Sequence, residues 1–472
     1  MSTFSSLNIA YSGLVASRRG LDVIGQNIVN VNTVGYTRQR IETTSLEQAI
    51  TKAQSRIPQP GNGVQVTGIS RLGDAYADAR VRETSADASY WLKTNDVMAS
   101  LESRLNEPSD DGLSKTLQRF WTAWQNVANQ PGETAPASVL LEEANTLATQ
   151  LSTGYRAAQG EWASVRGEAS SAVAAVNESA GQVAELNDRI RETIAAGGSA
   201  NELVDKRNLL IEDIVAQTGA TVKLKDDGTA DILLGGSALV EGGTARQLAV
   251  TGADSLETAS DDPVTLEWTH RPGQPISAPG GSLAASLELL GPADAAGTGG
   301  AIATFAAEFD HVAQTLADTV NAVHRTGAVA DGTTGHDFFS TGPGPAALTL
   351  KALPTDASGI AAAAPGRGSQ DGSIADEISQ LGSADGSADA VWNAFVVSTG
   401  VRAAGAENKA EVYQLAYNTA SDLRLSQSGV DLDEELTSML TFQRAYQGSA
   451  RVLTAIDEVL DTLINRTGVV GR

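Results

Sequence analysis

Apolar residues recur every seven positions at both ends of the chain. Near the start, one such line consists of Leu7, Leu14, Leu21 and Ile28, with Ala10, Ser17 and Ile24 three positions after its members. Near the end, two lines share the same spacing: Leu432, Met439, Tyr446, Leu453 and Leu460, and beside them Phe442, Ile456 and Leu463. A seven-residue apolar repeat predicts an amphipathic helix that packs along another helix. We therefore predict a helix at each end that presents a seam to a partner, the alternative being that each packs on its own domain.

Helical patterns also dominate the middle of the chain. Four stretches combine Ala, Leu, Glu and Gln with apolar residues three or four positions apart: residues 101–151, 173–215, 305–323 and 392–425. Such composition and spacing predict long helices. Trp121 and Trp124 share one helix face, where we expect them to belong to the core.

Two stretches interrupt this helical pattern. In residues 222–234 apolar residues alternate around Asp227-Gly228, which predicts two strands joined by a hairpin turn in a β-rich insert. A second stretch, residues 327–386, is rich in Gly, Ala and Pro, and its best strand candidate is Leu348 to Lys351. We expect part of it to be irregular.

These patterns predict a mainly α fold with β inserts, in which paired terminal coiled-coil helices and a long-helix body carry one or two outer β-rich domains. The predicted divisions are a terminal assembly domain (1–60 plus 428–472), a helical body (61–220 plus 300–427), a β-rich insert (221–299) and, within the body span, a second insert (327–390).

Composition narrows the function classes. The formal net charge is -24, and Lys and Arg form no stripe, so nucleic acid is not an expected partner. The absence of cysteine excludes disulfides and thiolate chemistry, and the four histidines show no metal-ligand spacing. No phosphate-binding glycine motif or serine nucleophile motif is present. We expect neither an enzyme nor a cofactor. No apolar run is long enough to span a bilayer, and the start lacks the pattern of a signal peptide, so membrane insertion is not expected.

The most unusual segment follows the first helix. Residues 27–40 contain three asparagines close together and end in a Gly-Tyr-Thr-Arg-Gln-Arg run. Asparagine side chains mimic backbone groups, so this segment can end a helix and hold an irregular turn, in which Gly35 is free to take a positive φ. A simple helix stop is the alternative interpretation.

Motifs at both ends resemble one known family. Residues 20–28 (GLDVIGQNI) and 30–39 (NVNTVGYTRQ) look like the N-terminal signature of the flagellar rod, hook and hook-associated proteins, while residues 429–435 (GVDLDEE) and 442–450 (FQRAYQGSA) resemble its C-terminal region. The GYTRQ run is closer to the hook-associated members than to the hook protein. The alternatives are a hook or distal-rod protein, a flagellar scaffold carrying an enzymatic insert, and a cytosolic coiled-coil adaptor, which these motifs argue against.

The resemblance implies a structural subunit that joins hook to filament, with its two terminal helices paired in the inner wall of a tubular assembly. It also implies export by the flagellar type III apparatus to the outside of the cell. The implied partners are copies of the chain itself, the hook protein, the second junction protein (hook-associated protein 3) and a cytosolic export chaperone. Because two helices with weak seams bury little, we expect the ends to be disordered in the monomer and to fold on assembly.

The predicted assembly interface combines the apolar lines of both terminal helices with the Asn-rich segment. Its residues are Leu7, Leu14, Leu21, Ile24, Ile28, Asn30, Asn32, Gly35, Tyr36, Leu432, Leu436, Met439, Phe442, Tyr446, Leu453, Ile456, Leu460 and Leu463. The two ends also carry opposite charge, which suggests pairing of Arg18 and Arg19 with Asp457 and Glu458 as a device for orientation and register. Asp431 and Glu434 are expected to cap the last helix.

Overall fold

Long helices form most of the protein, a computed structural model of which describes residues 3–46, 61–294 and 299–466. The α-helices in chain order are α1 (Thr3–Val29), α2 (Ala75–Leu105), α3 (Leu113–Asn129), α4 (Thr134–Ala195), α5 (Asn201–Thr218), α6 (Gly281–Leu289), α7 (Ala301–His324), α8 (Ala346–Thr349), α9 (Ser373–Ser379), α10 (Ala388–Ser428) and α11 (Leu432–Asp461). A π-helical turn, Thr462–Arg466, follows α11.

The β-structure is confined to small antiparallel sheets. Its strands are β1 (Gln39–Ser45), β2 (Val64–Arg71), β3 (Thr221–Leu224), β4 (Ala230–Leu234), β5 (Ser237–Glu241), β6 (Thr244–Ala245), β7 (Leu248–Thr251), β8 (Thr265–Trp268), β9 (Pro275–Ile276), β10 (Phe339–Ser340) and β11 (Lys351–Ala352). They pair in the orders β1-β2, β3-β4-β5-β6, β7-β8-β9 and β10-β11. The predicted fold class, mainly α with β inserts and paired terminal helices, is confirmed.

The body is built around α4, the 62-residue helix. Its buried line, which includes Leu140, Leu151, Trp162 and Val176, packs against the neighbouring helices and sheets in one continuous apolar core. Trp124 is fully buried in that core and Trp121 nearly so, as the sequence predicted. Helices α2 and α10 run antiparallel along each other, because Asp78 near the start of α2 lies beside Arg424 near the end of α10, while Trp91 further along α2 stacks on Tyr413.

The predicted hairpin turn at Asp227-Gly228 is confirmed. Strands β3 and β4 pair in register with Leu224 opposite Ala230, and Gly228 takes a φ of 82° in the turn. The Asp227 carboxylate accepts hydrogen bonds from the backbone N–H and the hydroxyl of Thr229, which is how a short acid stabilises a tight turn.

The predicted strand at Leu348 to Lys351 is wrong. Residues 346 to 349 form the short helix α8, and only Lys351 lies in a strand. The Asp310 carboxylate accepts the Ala347 N–H and so stabilises the start of this turn. Phe338 and Phe339 of the same Gly-rich stretch lie fully inside the body core. The predicted domain division stays a prediction, and residues 1–2, 47–60, 295–298 and 467–472 lie outside the described residues.

His324, at the end of α7, joins two loops of this stretch from inside the core. The Ala361 N–H donates to its Nε2 (2.9 Å), so the ring proton is on Nδ1, which donates to the His336 carbonyl (2.7 Å). Burial lowers the pKa of His324, because the charged ring would lose water and also the Ala361 bond.

We expect the free energy of unfolding to fall as the pH drops below about 6.5, the ordinary pKa of histidine. In that range the His324 ring is protonated in the unfolded chain but stays neutral in the folded chain. The free energy of unfolding therefore falls by up to about 1.4 kcal/mol for each pH unit. Denaturant titrations at pH 7.5 and 5.5 check this, with His324→Gln as the comparison. An equal loss of stability in both proteins would contradict the assignment.

Candidate assembly site at the terminal helix pair

The first and last helices pack on each other as an antiparallel pair, here called the terminal pair. Three contacts set its register. A Cβ atom at Gly13 would lie 3.0 Å from the Ser449 hydroxyl, a Cβ at Gly20 would lie 2.6 Å from the Phe442 ring, and Asn27 donates to Glu435 at 3.1 Å. Successive contacts are seven residues apart on both helices and run in opposite directions, so the seven-residue spacing of the sequence corresponds to one continuous line of contact.

The leucines of α1 are not the residues that lie deepest in this contact. The buried residues of α1 are Ala10, Ala16, Ser17, Gly20, Val23, Ile24 and Asn27. Leu7, Leu14, Leu21 and Ile28 are only partly buried on the flanks. Glycines and small side chains let two helix backbones approach closely, which makes room for the large Phe442 ring over Gly20.

Helix α11 buries little in this pair. Within its described length Glu435 is the one residue that is buried. Of the predicted interface residues on this side, five are partly buried: Met439, Phe442, Leu453, Ile456 and Leu460. Four are exposed: Leu432 and Leu436 (45% each), Tyr446 (37%) and Leu463 (50%). On α1, Phe4 and Tyr11 are exposed as well. The pair therefore keeps a second apolar surface open to solvent.

A buried polar cluster closes the pair where it meets the body. The Asn27 amide donates to the Gln39 carbonyl (2.9 Å) and to Glu435, and its oxygen accepts from the Tyr36 hydroxyl (2.9 Å) and the Gln39 N–H (3.0 Å). We call Asn27, Tyr36, Arg38, Gln39 and Glu435 the Asn27 cluster. All four hydrogen-bonding positions of a buried amide are thus used, and any slip of register would break them together.

Arg38 links the cluster to the start of α11. Its guanidinium donates to Glu434 and Glu435, both at 2.6 Å, and the Glu435 side chain is only 2% exposed. Burial acts to lower the pKa of Arg38, but its hydrogen bonds to the two carboxylates outweigh this and raise it. Asp431 caps α11 by accepting the N–H groups of Asp433 and Glu434, as predicted, while the Glu434 carboxylate bonds to Arg38.

A second set of contacts ties the Asn-rich segment to the body. The Asp205 carboxylate accepts from the Thr37 N–H (3.2 Å) and from Arg71 (2.8 Å). Burial raises the pKa of Asp205, although Arg71 and Thr37 act to lower it. Gly35 has the predicted positive φ, 77°, and a side chain there would collide with Leu209 of α5.

Other predicted residues of this segment lie outside the cluster. Asn30 bonds back to the Gln26 carbonyl at the end of α1, and Asn32 is exposed. The assignment of Asn30 and Asn32 to the assembly interface stays a prediction. The sequence analysis did not single out Asn27, Arg38 and Glu435, although all three lie in the motifs that carry the family resemblance.

The predicted pairing of Arg18 and Arg19 with Asp457 and Glu458 is wrong within one chain. The register of the terminal pair places Arg18 opposite Arg444 and Asp457 opposite Ser5, about 20 Å apart along the helices. The opposite charge of the two ends is used instead at Arg38, because this residue lies beside the acidic first turn of α11.

Comparison with known families decides the identity. The sequence model described as Flagellar hook-associated protein FlgK helical domain matches residues 98–339, just over half of the chain. The chain belongs to the FlgK family. Its members include Flagellar hook-associated protein 1 of Bacillus subtilis, 29% identical over the whole of both chains. The protein of the same name from Salmonella typhimurium is 32% identical over 72% of this chain and 60% of its own length.

The FlgK assignment agrees with the fold and with the position of the terminal pair. The flagellar hook junction protein FlgK from Burkholderia pseudomallei has the same fold, with a TM-score of 0.63 and 15% identity over 74% of this chain and all of that one. Two further models, Flagella basal body rod protein and Flagellar basal body rod FlgEFG protein C-terminal, match residues 7–37 and 424–466. These ranges hold α1 with the Asn-rich segment and α11.

As a FlgK-family member the chain is a structural protein of the bacterial flagellum. It self-assembles and associates with other flagellar proteins. Among the described residues no helix is long and apolar enough to cross a membrane.

Proposed function

We propose that this chain is a structural subunit of the hook–filament junction and that the terminal pair makes its contacts with neighbouring subunits. The observation that carries the proposal is the combination of a fixed register inside the pair with apolar residues left exposed on its outer side. A pair of helices in water can cover only one face of each helix, so the remaining apolar surface favours association. Neighbouring copies would bury it.

The predicted interface residues fit this role in different ways. Ile24 and the Asn27 cluster hold the two helices of one chain together, whereas exposed residues such as Leu432, Leu436 and Leu463 are available to other chains. The expectation that the ends are disordered in the monomer stays a prediction. Because α1 and α11 pack on each other within one chain, neighbours would add burial to an existing pair.

The further partners follow from the family. We propose contacts with the hook protein on one side and with hook-associated protein 3 on the other, binding of the exposed apolar ends by a cytosolic export chaperone before assembly, and export by the flagellar type III apparatus. The role is structural and not enzymatic. Within the described residues no cluster of three or more His, Asp or Glu could hold a metal ion.

Replacing Leu436 and Leu440 together with glutamate tests the proposal. Both side chains are exposed in the single chain, so we expect secretion and the unfolding midpoint to stay unchanged. Burying each leucine between subunits contributes about 1.5–3 kcal/mol, so we expect assembly to fall at least tenfold, with few filaments on cells and filament protein shed into the medium.

The matched control is Leu353→Glu, because Leu353 lies on the body and is 44% exposed, as Leu436 is 45% exposed. Electron microscopy of cells and blotting of culture medium report both outcomes. Normal numbers of filaments with the double variant would contradict the role of the terminal pair.

A further inference from the structure

One side of α10 is apolar, exposed and free of charge over most of the helix. Its apolar residues recur at spacings of three and four or their multiples: Val397, Val401, Ala404, Val412, Leu415 and Leu423, here called the α10 stripe. Val397, Val401, Val412 and Leu415 are each about two-thirds exposed. The positions between Val397 and Thr419 on the same face include Asn408 and carry no charge, and the exposed Asp422 lies beside Leu423 at the end of the stripe. The stripe is about 39 Å long.

The other side of α10 is firmly packed, so the stripe is a preformed surface. Trp392, Phe395, Thr399, Ala403 and Ala410 are buried there, in the side of α10 that packs against α2 and α7. A helix held in this way loses little conformational entropy when its free side is covered. Exposed apolar residues that line one face of a packed helix are typical of an interaction surface.

The stripe continues into the surface that the proposed function gives to neighbouring subunits. Helix α10 ends at Ser428, whose carbonyl accepts the Arg38 N–H at 2.9 Å beside the Asn27 cluster. Four residues later α11 begins with its own exposed apolar residues Leu432, Leu436 and Leu440. Exposed apolar residues are therefore present both on α10 in the body and on the adjoining start of α11 in the terminal pair.

The edges of the stripe carry opposite charges. At about 100° per residue, Arg402 and Lys409 lie along one edge, and Glu407 and Glu411 lie along the other. Lys409 is held 4.0 Å above the Trp91 ring, which fixes its position beside the stripe. A copy of this chain has a net charge of -24, so its acidic surface complements the basic edge, while the uncharged part of the stripe from Val397 to Thr419 avoids repulsion between two acidic molecules.

We propose that the α10 stripe is a contact surface for a second copy of this chain in the assembled flagellum. The proposal rests on the proposed function and extends it from the terminal pair to the body. The contact is heterologous, since copies stacked in one direction in a tube present different surfaces to each other.

The identity of the occupant is tested by replacing Leu415 with the photoreactive residue p-benzoylphenylalanine in the full chain. Irradiation of isolated flagella is expected to give a cross-linked product of about twice 48.7 kDa that contains only this protein. A product that joins this chain to a different flagellar protein would overturn the choice of partner. Absence of any product would overturn the contact itself.

Replacing Val401 and Leu415 together with glutamate tests whether the contact matters for assembly. We expect an unchanged unfolding midpoint and at least a tenfold loss of incorporation into flagella, whereas Val139→Glu, a half-exposed valine of α4, is expected to assemble normally. If the stripe variant assembles normally while Leu436→Glu with Leu440→Glu fails, the stripe proposal is wrong and the terminal pair stands. If both variants assemble normally, both proposals are wrong.

Discussion

Gly20→Leu is expected to separate the two helices of the terminal pair and to abolish assembly. Even a Cβ atom at this position would lie 2.6 Å from the Phe442 ring, closer than atoms can approach, so the ring or the whole of α11 must move. Overpacking of this kind costs about 1–3 kcal/mol, and here it also pulls Asn27 away from Glu435 one heptad further along. Hydrogen exchange of α1 and α11 and filament counts on cells report the two effects.

Gly25→Leu is the matched control. Gly25 lies on the same helix and is exposed, and a Cβ there meets no atom within 4 Å. Both variants replace a helical glycine, so both gain about 1 kcal/mol in helix propensity and differ only in the collision. Adding Phe442→Ala to Gly20→Leu removes the ring with which the leucine collides, so we expect it to restore part of the protection of α1 and α11 against hydrogen exchange. Equal exchange rates in the Gly20 and Gly25 variants would show that the close approach of the helices is unimportant.

Arg38→Gln is expected to open the terminal pair at its body end. The variant leaves the Glu435 carboxylate, which is almost fully buried, without a cationic partner. Removing one partner of a buried ion pair costs about 3–5 kcal/mol, and the lower value is expected because Arg38 itself is 21% exposed. Amide exchange in the first turns of α11 is then expected to accelerate about 100-fold, while exchange in α4 stays unchanged.

Arg40→Gln provides the comparison for this variant, since Arg40 is exposed in β1 two residues further along. It removes the same charge without touching Glu435. A second comparison, Arg38→Lys, keeps the charge but cannot donate to two carboxylates in the fixed geometry of a guanidinium, so partial protection is expected. If the first turns of α11 exchange at the same rate in the Arg38→Gln and Arg40→Gln variants, the ion pair between Arg38 and Glu435 does not keep the terminal pair closed.

The sequence predicted the elements of the terminal pair better than their contact. The seven-residue spacing is sufficient to predict both helices, because apolar residues repeated at that distance fit the period of an amphipathic helix and not that of a strand. The spacing pointed to Leu14 and Leu21 as contact residues, whereas Gly13 and Gly20 lie at the contact. Two helices can approach closely only where a large side chain on one faces a small residue on the other, and this pairing cannot be read from one helix alone. That partner, Phe442, lies more than four hundred positions away in the chain.

Polar residues were harder still to place from sequence. Asn27, Asn30 and Asn32 have the same chemistry, and only the packing of β1 and α11 around Asn27 distinguishes it. Likewise, Leu348 and Leu350 alternate as in a strand, but a side-chain acceptor on α7 caps a helical turn there. Local patterns predict elements, while long-range contacts decide which residue of a repeated type is buried.

The β1–β2 hairpin lies along α1, with the Val64 N–H bonded to the Ser12 hydroxyl, so α1, α11 and this hairpin form one arm. The arm extends about 35 Å from the Asn27 cluster to Phe4. A rotation of about 5° at the cluster would displace its far tip by about 3 Å, close to the spacing of two atoms in contact. The hydrogen bonds of the Asn27 cluster at the base of the arm therefore limit how far the tip of the arm can move relative to the body.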